Sequence, residues 1–119
     1  MSFTLYGIPT CDTCRRAKKW FAAQQIEFTW INTRDQSPSP SQITMWVQTL
    51  GNKVMRNTSG KAYRSLPPEK KMWNDEQWIE AFTKDPMLLK RPLIVKGDTA
   101  IGTGFKGTDE ELMKRFGLS

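Results

Sequence analysis

The chain has 119 residues, 38% hydrophobic and 25% charged, with 18 Lys+Arg against 12 Asp+Glu for a net charge of +6. That length suits one domain over 1–119 and leaves little room for a second core. The absence of histidine excludes Ser-His-Asp and Cys-His catalysis and removes the commonest zinc ligand. Two cysteines are too few for a disulfide framework. No apolar run approaches the roughly 18–20 residues of a membrane helix. No basic stretch precedes an apolar one near Met1, so no secretory signal is read and a cytoplasmic protein is expected. The basic residues are spread along the chain, which reads as a solvated surface suited to acidic partners or small oxyanions.

In chain order, residues 3–8 form a short β-prone run ended by Pro9, which predicts a buried first strand. After Thr10-Cys11-Asp12-Thr13-Cys14, apolar positions at Cys14, Ala17, and Trp20 or Phe21, with Gln24 closing the series, alternate with a basic face and predict a helix. A second strand is expected at 28–31, completing a βαβ unit. Ser39-Pro40-Ser41-Gln42 combines a cap, a first-turn proline and a capping box. Ile43, Trp46, Val47 and Leu50 continue that helix until Gly51. Asn57-Thr58-Ser59-Gly60 reads as a turn, Asn74 with Gln77 as a second capping box, and Asp85-Pro86 as a short turn through Leu89. Leu93-Ile94-Val95 and Thr99-Ala100-Ile101-Gly102 are strands joined at Gly97-Asp98, whose order suggests a turn slightly longer than Asp-Gly would make. Thr108 and Glu111 cap a last helix with a buried stripe at Leu112, Met113 and Phe116. The order is βαβ, helices, ββα.

Cys11 and Cys14 lie between the first strand and the first helix. Three readings stand: a redox pair, half of a zinc site, or two structural cysteines. Zinc needs about four ligands, and the chain offers no third Cys and no His. The redox reading has a mechanism. A thiol at a helix N-terminus faces free N–H groups and the positive dipole end, and both favour the thiolate. Arg15 and Arg16 add positive potential, and Asp12 opposes it unless its side chain binds a helix N–H. Cys11 is then the nucleophile and Cys14, one turn further in, the resolving thiol.

Residues 5–17 around Pro9-Thr10-Cys11-Asp12-Thr13-Cys14, the Asn57-Thr58-Ser59-Gly60 stretch with Tyr63-Arg64, and Lys90-Arg91-Pro92-Leu93 through Gly104-Phe105-Lys106 resemble the glutaredoxin-type arsenate reductase family. Within it the chain is most similar to the Spx/MgsR-like branch, whose members carry a CxxC. The resemblance implies an α/β thioredoxin-like fold (βαβ…ββα) with a helical insertion at about 38–90, and a cis bond at Pro92 facing the CxxC. It implies catalytic roles for Cys11 and Cys14, and anion or substrate binding by Arg56, Arg91, Pro92 and Lys106. In the arsenate reductases three arginines hold the oxyanion. Arg56 and Arg91 match two of them, and Lys106 stands where the third is expected, keeping the charge without the planar fork. The family's arsenate reductases lack the second cysteine and finish their cycle with glutathione and glutaredoxin.

A thiol–disulfide redox protein is therefore the first expectation. Its partners would be thiol reductants (glutathione, glutaredoxin or thioredoxin) or disulfide substrates, with no cofactor and no metal. The alternative is a redox-sensing regulator binding the C-terminal domain of the RNA polymerase α subunit, with Gly51 matching a glycine on that surface. Arsenate reduction is the lesser alternative. No membrane partner and no direct sequence-specific DNA binding are expected.

Overall fold

The computed structural model describes residues 2–118. Strand β1 (Phe3–Gly7) leads through helix α1 (Asp12–Ala23) to β2 (Phe28–Asn32). Helices α2 (Pro40–Leu50), α3 (Asn52–Met55), α4 (Lys61–Arg64) and α5 (Asp75–Lys84) follow, with 3-10 turns at Pro68–Met72 and Pro86–Leu88. Strands β3 (Leu93–Lys96) and β4 (Thr99–Thr103) and helix α6 (Asp109–Arg115) complete the chain. The sheet order is β2-β1-β3-β4, with β1 parallel to β2 and antiparallel to β3, and β3 antiparallel to β4. This is the thioredoxin-like α/β arrangement expected from the sequence, with helices between its two halves.

The two central strands explain the two cores. Side chains alternate across a strand. Phe3, Leu5 and Ile94 therefore enter one layer with Ala17 and Phe21 of α1 and Leu112 and Phe116 of the α6 segment. Tyr6, Leu93 and Val95 enter the other, against Ile43, Trp46 and Val47 of α2 and Trp78 and Phe82 of α5. Strands covered on both faces read as continuous apolar runs, as these do.

All three capping boxes form, at Ser39/Gln42, Asn74/Gln77 and Thr108/Glu111. On α1 the core face is Cys14, Ala17 and Phe21. Trp20 is half-buried, its indole N–H donating to Asp109 at 3.0 Å, and Gln24 lies beyond the helix as its exposed C-cap. Met113 is half-buried, not part of the closed stripe. The β3–β4 connection is shorter than expected. Lys96 pairs with Thr99, so Gly97 and Asp98 close the hairpin alone. Gly97 has φ +63°, the left-handed first position that a two-residue turn requires and that glycine adopts freely.

Candidate functional site

Cys11 is the N-cap of α1. Its Sγ accepts the Cys14 backbone N–H at 3.4 Å, and its carbonyl accepts Arg15 N–H at 3.0 Å, so the thiol sits where a capping oxygen would. Cys11 is half-exposed and Cys14 is fully buried, 0% exposed. The burial of Cys14 depends on Gly7 at the end of β1. A Cβ there would lie 2.5 Å from Cys14 Sγ and 2.9 Å from the Trp30 ring.

The two thiols are driven apart in acidity. Burial pushes the Cys11 thiol up. Hydrogen bonds from Cys14 and Thr13 and the nearby Arg91 charge act the other way and prevail, so its pKa lies below the ordinary thiol value. For Cys14 burial dominates, and the adjacent Cys11 adds to it. A backbone hydrogen bond with Ile8 and the Arg91 charge oppose this without prevailing, and Cys14 is pushed up to about 12.

Of the charges near Cys11, that of Arg91 acts on the sulfur, where the sequence pointed to Arg15 and Arg16. Arg15 is taken up by an ion pair with Asp12 and donates to the Pro9 carbonyl at 3.0 Å. That pairing also neutralises Asp12, whose charge would otherwise disfavour the thiolate. Arg91 is held from the other side of the sheet, its Nη1 donating to the Met87 and Leu89 carbonyls at 3.1 and 3.2 Å. Its Nε is buried without a partner. The Arg91–Pro92 peptide bond is cis. Pro92, expected to bind substrate, is buried and does not line the cleft beside Cys11, and its carbonyl accepts Gly104 N–H at 2.9 Å.

Cys11, Arg91 and Lys106 line one cleft of about 550 Å³. Arg56 does not line it. Its guanidinium lies 4.1 Å from the centre of the Trp78 ring and donates to Asn52, so it belongs to the insertion's packing and not to the pocket expected from the sequence. Other basic residues take the vacated place: Arg16, Lys90 and Arg115 face the same cleft. Arg115 lay unread in the last helix, because only the tertiary fold carries α6 back to the start of α1. Among the described residues no helix is long and apolar enough to cross a membrane.

Residues 6–112 match the ArsC family. The chain is 36% identical over 110 residues to the uncharacterized protein YusI of Bacillus subtilis, covering 89% of this chain and 92% of that protein. It is 27% identical over 114 residues to the global transcriptional regulator Spx of Lactiplantibacillus plantarum, covering 94% of this chain and 83% of the regulator. Among solved structures, a possible arsenate reductase from Streptococcus mutans superposes with a TM-score of 0.82 at 32% identity, over 92% of this chain and 96% of that one.

Proposed function

The chain belongs to the ArsC family, and from that premise we propose that it is a thiol–disulfide redox protein in which Cys11 is the nucleophile and Cys14 the resolving thiol. One observation carries the reading: a half-exposed thiol of lowered pKa caps α1, and a buried thiol of raised pKa lies one helical turn behind it. The Cys11 thiolate attacks a disulfide sulfur and releases one thiolate. Cys14 then gives up its proton, attacks Cys11 Sγ and expels the second thiolate, leaving an internal disulfide. Arg91 steadies the thiolate, and Lys106 draws anionic groups to the cleft. A thiol reductant such as glutathione, glutaredoxin or thioredoxin returns the pair to dithiol. The test uses the neutral substrate hydroxyethyl disulfide. Reduced wild type forms an intrachain Cys11–Cys14 disulfide at a rate independent of protein dilution, and Cys14→Ser stops at a mixed disulfide on Cys11. Mainly interchain dimers after dilute oxidation, or adducts on Cys14 in the wild type, would overturn the assignment.

A second reading rests on the likeness to Spx and on Gly51. This glycine is exposed between α2 and α3, at φ +84°, with no atom within 4 Å of a Cβ placed there. In this reading the same redox pair governs binding to the RNA polymerase α C-terminal domain. A pull-down with that domain, run reduced and oxidised, is expected to retain the protein in a redox-dependent amount if the reading holds. No retention in either state removes it. Arsenate reduction is disfavoured by Lys106 at the place of the third arginine and by Arg56 lying outside the cleft.

A further inference from the structure

Resting on the redox reading above, we propose that the cleft selects polyanionic low-molecular-weight disulfides, with Lys90 and Arg115 forming a second anion subsite at Gly104. Five cationic side chains line the cleft — Arg16, Lys90, Arg91, Lys106 and Arg115 — and no Asp or Glu does. The ion pairs among the described residues are Asp12 with Arg15 and Glu80 with Lys84, so none of the five has a carboxylate partner. Like charges gathered in a cleft repel one another and focus a positive potential that an anionic ligand relieves. The volume, about 550 Å³, falls in the range of sites for whole small molecules and far exceeds a tetrahedral oxyanion. The occupant therefore carries several anionic groups spread over its length.

Lys90 and Arg115 meet at Gly104. A Cβ on that residue would lie 3.2 Å from Lys90 Cε and 3.8 Å from its Nζ. From the other side Arg115 donates to the Gly104 and Thr103 carbonyls, both at 3.1 Å. Gly102 lets the guanidinium cross β4, since a Cβ there would lie 2.5 Å from Arg115 Nη2. Arg115 is thus held in place with two of its five donors used. Near the sulfur, Arg91 contributes its charge to the same cleft. Carboxylates of an oxidised tripeptide thiol or phosphates of an oxidised nucleotide thiol supply this chemistry equally. The step is balanced: the protein's thiolate and thiol, one disulfide and one proton give the protein disulfide and two small thiols. Two electrons pass from the protein to the substrate.

The experiment oxidises the reduced protein with glutathione disulfide, coenzyme A disulfide, neutral hydroxyethyl disulfide and cationic cystamine. Each rate is divided by that of dithiothreitol with the same disulfide. At least one anionic disulfide is expected to exceed the neutral one by about tenfold or more, with cystamine slowest and the spread collapsing at high salt. Preference for glutathione disulfide assigns carboxylates, and preference for coenzyme A disulfide assigns phosphates. The anionic-to-neutral ratio should fall at least about fivefold in Lys90→Gln and in Arg115→Gln, and stay unchanged in Lys19→Gln, an exposed position of α1 outside the cleft. Lys90 is exposed, so its variant reports even if Arg115→Gln folds poorly. Equal normalised rates for all charges overturn the inference and leave the redox reading standing. A ratio unmoved in Lys90→Gln overturns the subsite. Inertness toward all four disulfides overturns the redox reading itself.

Discussion

Iodoacetamide at pH 7 labels Cys11 of the reduced protein and leaves Cys14 unmodified. Only the thiolate reacts. Cys11 titrates below the ordinary thiol range and Cys14 at about 12. Each unit of separation is a factor of ten in thiolate, so near neutrality the two differ by at least roughly a thousandfold. Burial of Cys14 adds a steric barrier of the same sign. Lowering a thiol's pKa extends its thiolate to lower pH, so the labelling rate should rise through the Cys11 pKa and level off before an ordinary thiol would. Peptide mapping against pH measures both. Comparable labelling of the two cysteines in the folded protein, or a midpoint at or above that of a free thiol, would overturn the division of roles.

Gly7→Ala is the most damaging single-methyl change at the site. The new Cβ lands 2.5 Å from Cys14 Sγ and 2.9 Å from the Trp30 ring. Neither neighbour retreats easily: Cys14 is locked into α1 and fully buried, and Trp30 is on β2, paired in register with Leu5. Overpacking of this kind costs about 1–3 kcal/mol, and here it also displaces the resolving thiol from its packed position. Denaturant melts should show the lost stability, and closure of the Cys11–Cys14 disulfide should slow. Adding Cys14→Ala removes the closest clash, so the double variant should lose less than the sum of the singles. Strict additivity would mean that Gly7 and Cys14 are not coupled.

The local part of this architecture was legible because its signals are local. A capping box spans four residues, and all three boxes form. The short β-prone runs in β1 and β3 predict buried strands without knowledge of partners. The four-residue helices α3 and α4 are too short for periodicity to announce them. Around the thiols, sequence proximity misleads. Arg15 is the nearer neighbour in the chain, yet it pairs with Asp12, and the charge acting on Cys11 is that of Arg91. Arg56 matches an anion-binding arginine by family resemblance, yet it packs against the ring of Trp78. Lys90 and Arg115 belong to the cleft only because β3, β4 and α6 fold back against α1, which no window of sequence contains.

The two cores on opposite faces of the sheet have a last consequence. The nucleophile is mounted on the α1 face. Its counter-charge hangs from the Met87 and Leu89 carbonyls at the edge of the other core. A synthetic peptide spanning Thr10 to Cys14 would therefore carry both sulfurs and none of the field. The same five residues grafted into a foreign turn would inherit ordinary thiols. The helix-end bonds from Thr13 and Cys14 are local, but the charge that joins them at Cys11 comes across a seam between two halves that the chain joins only when folded.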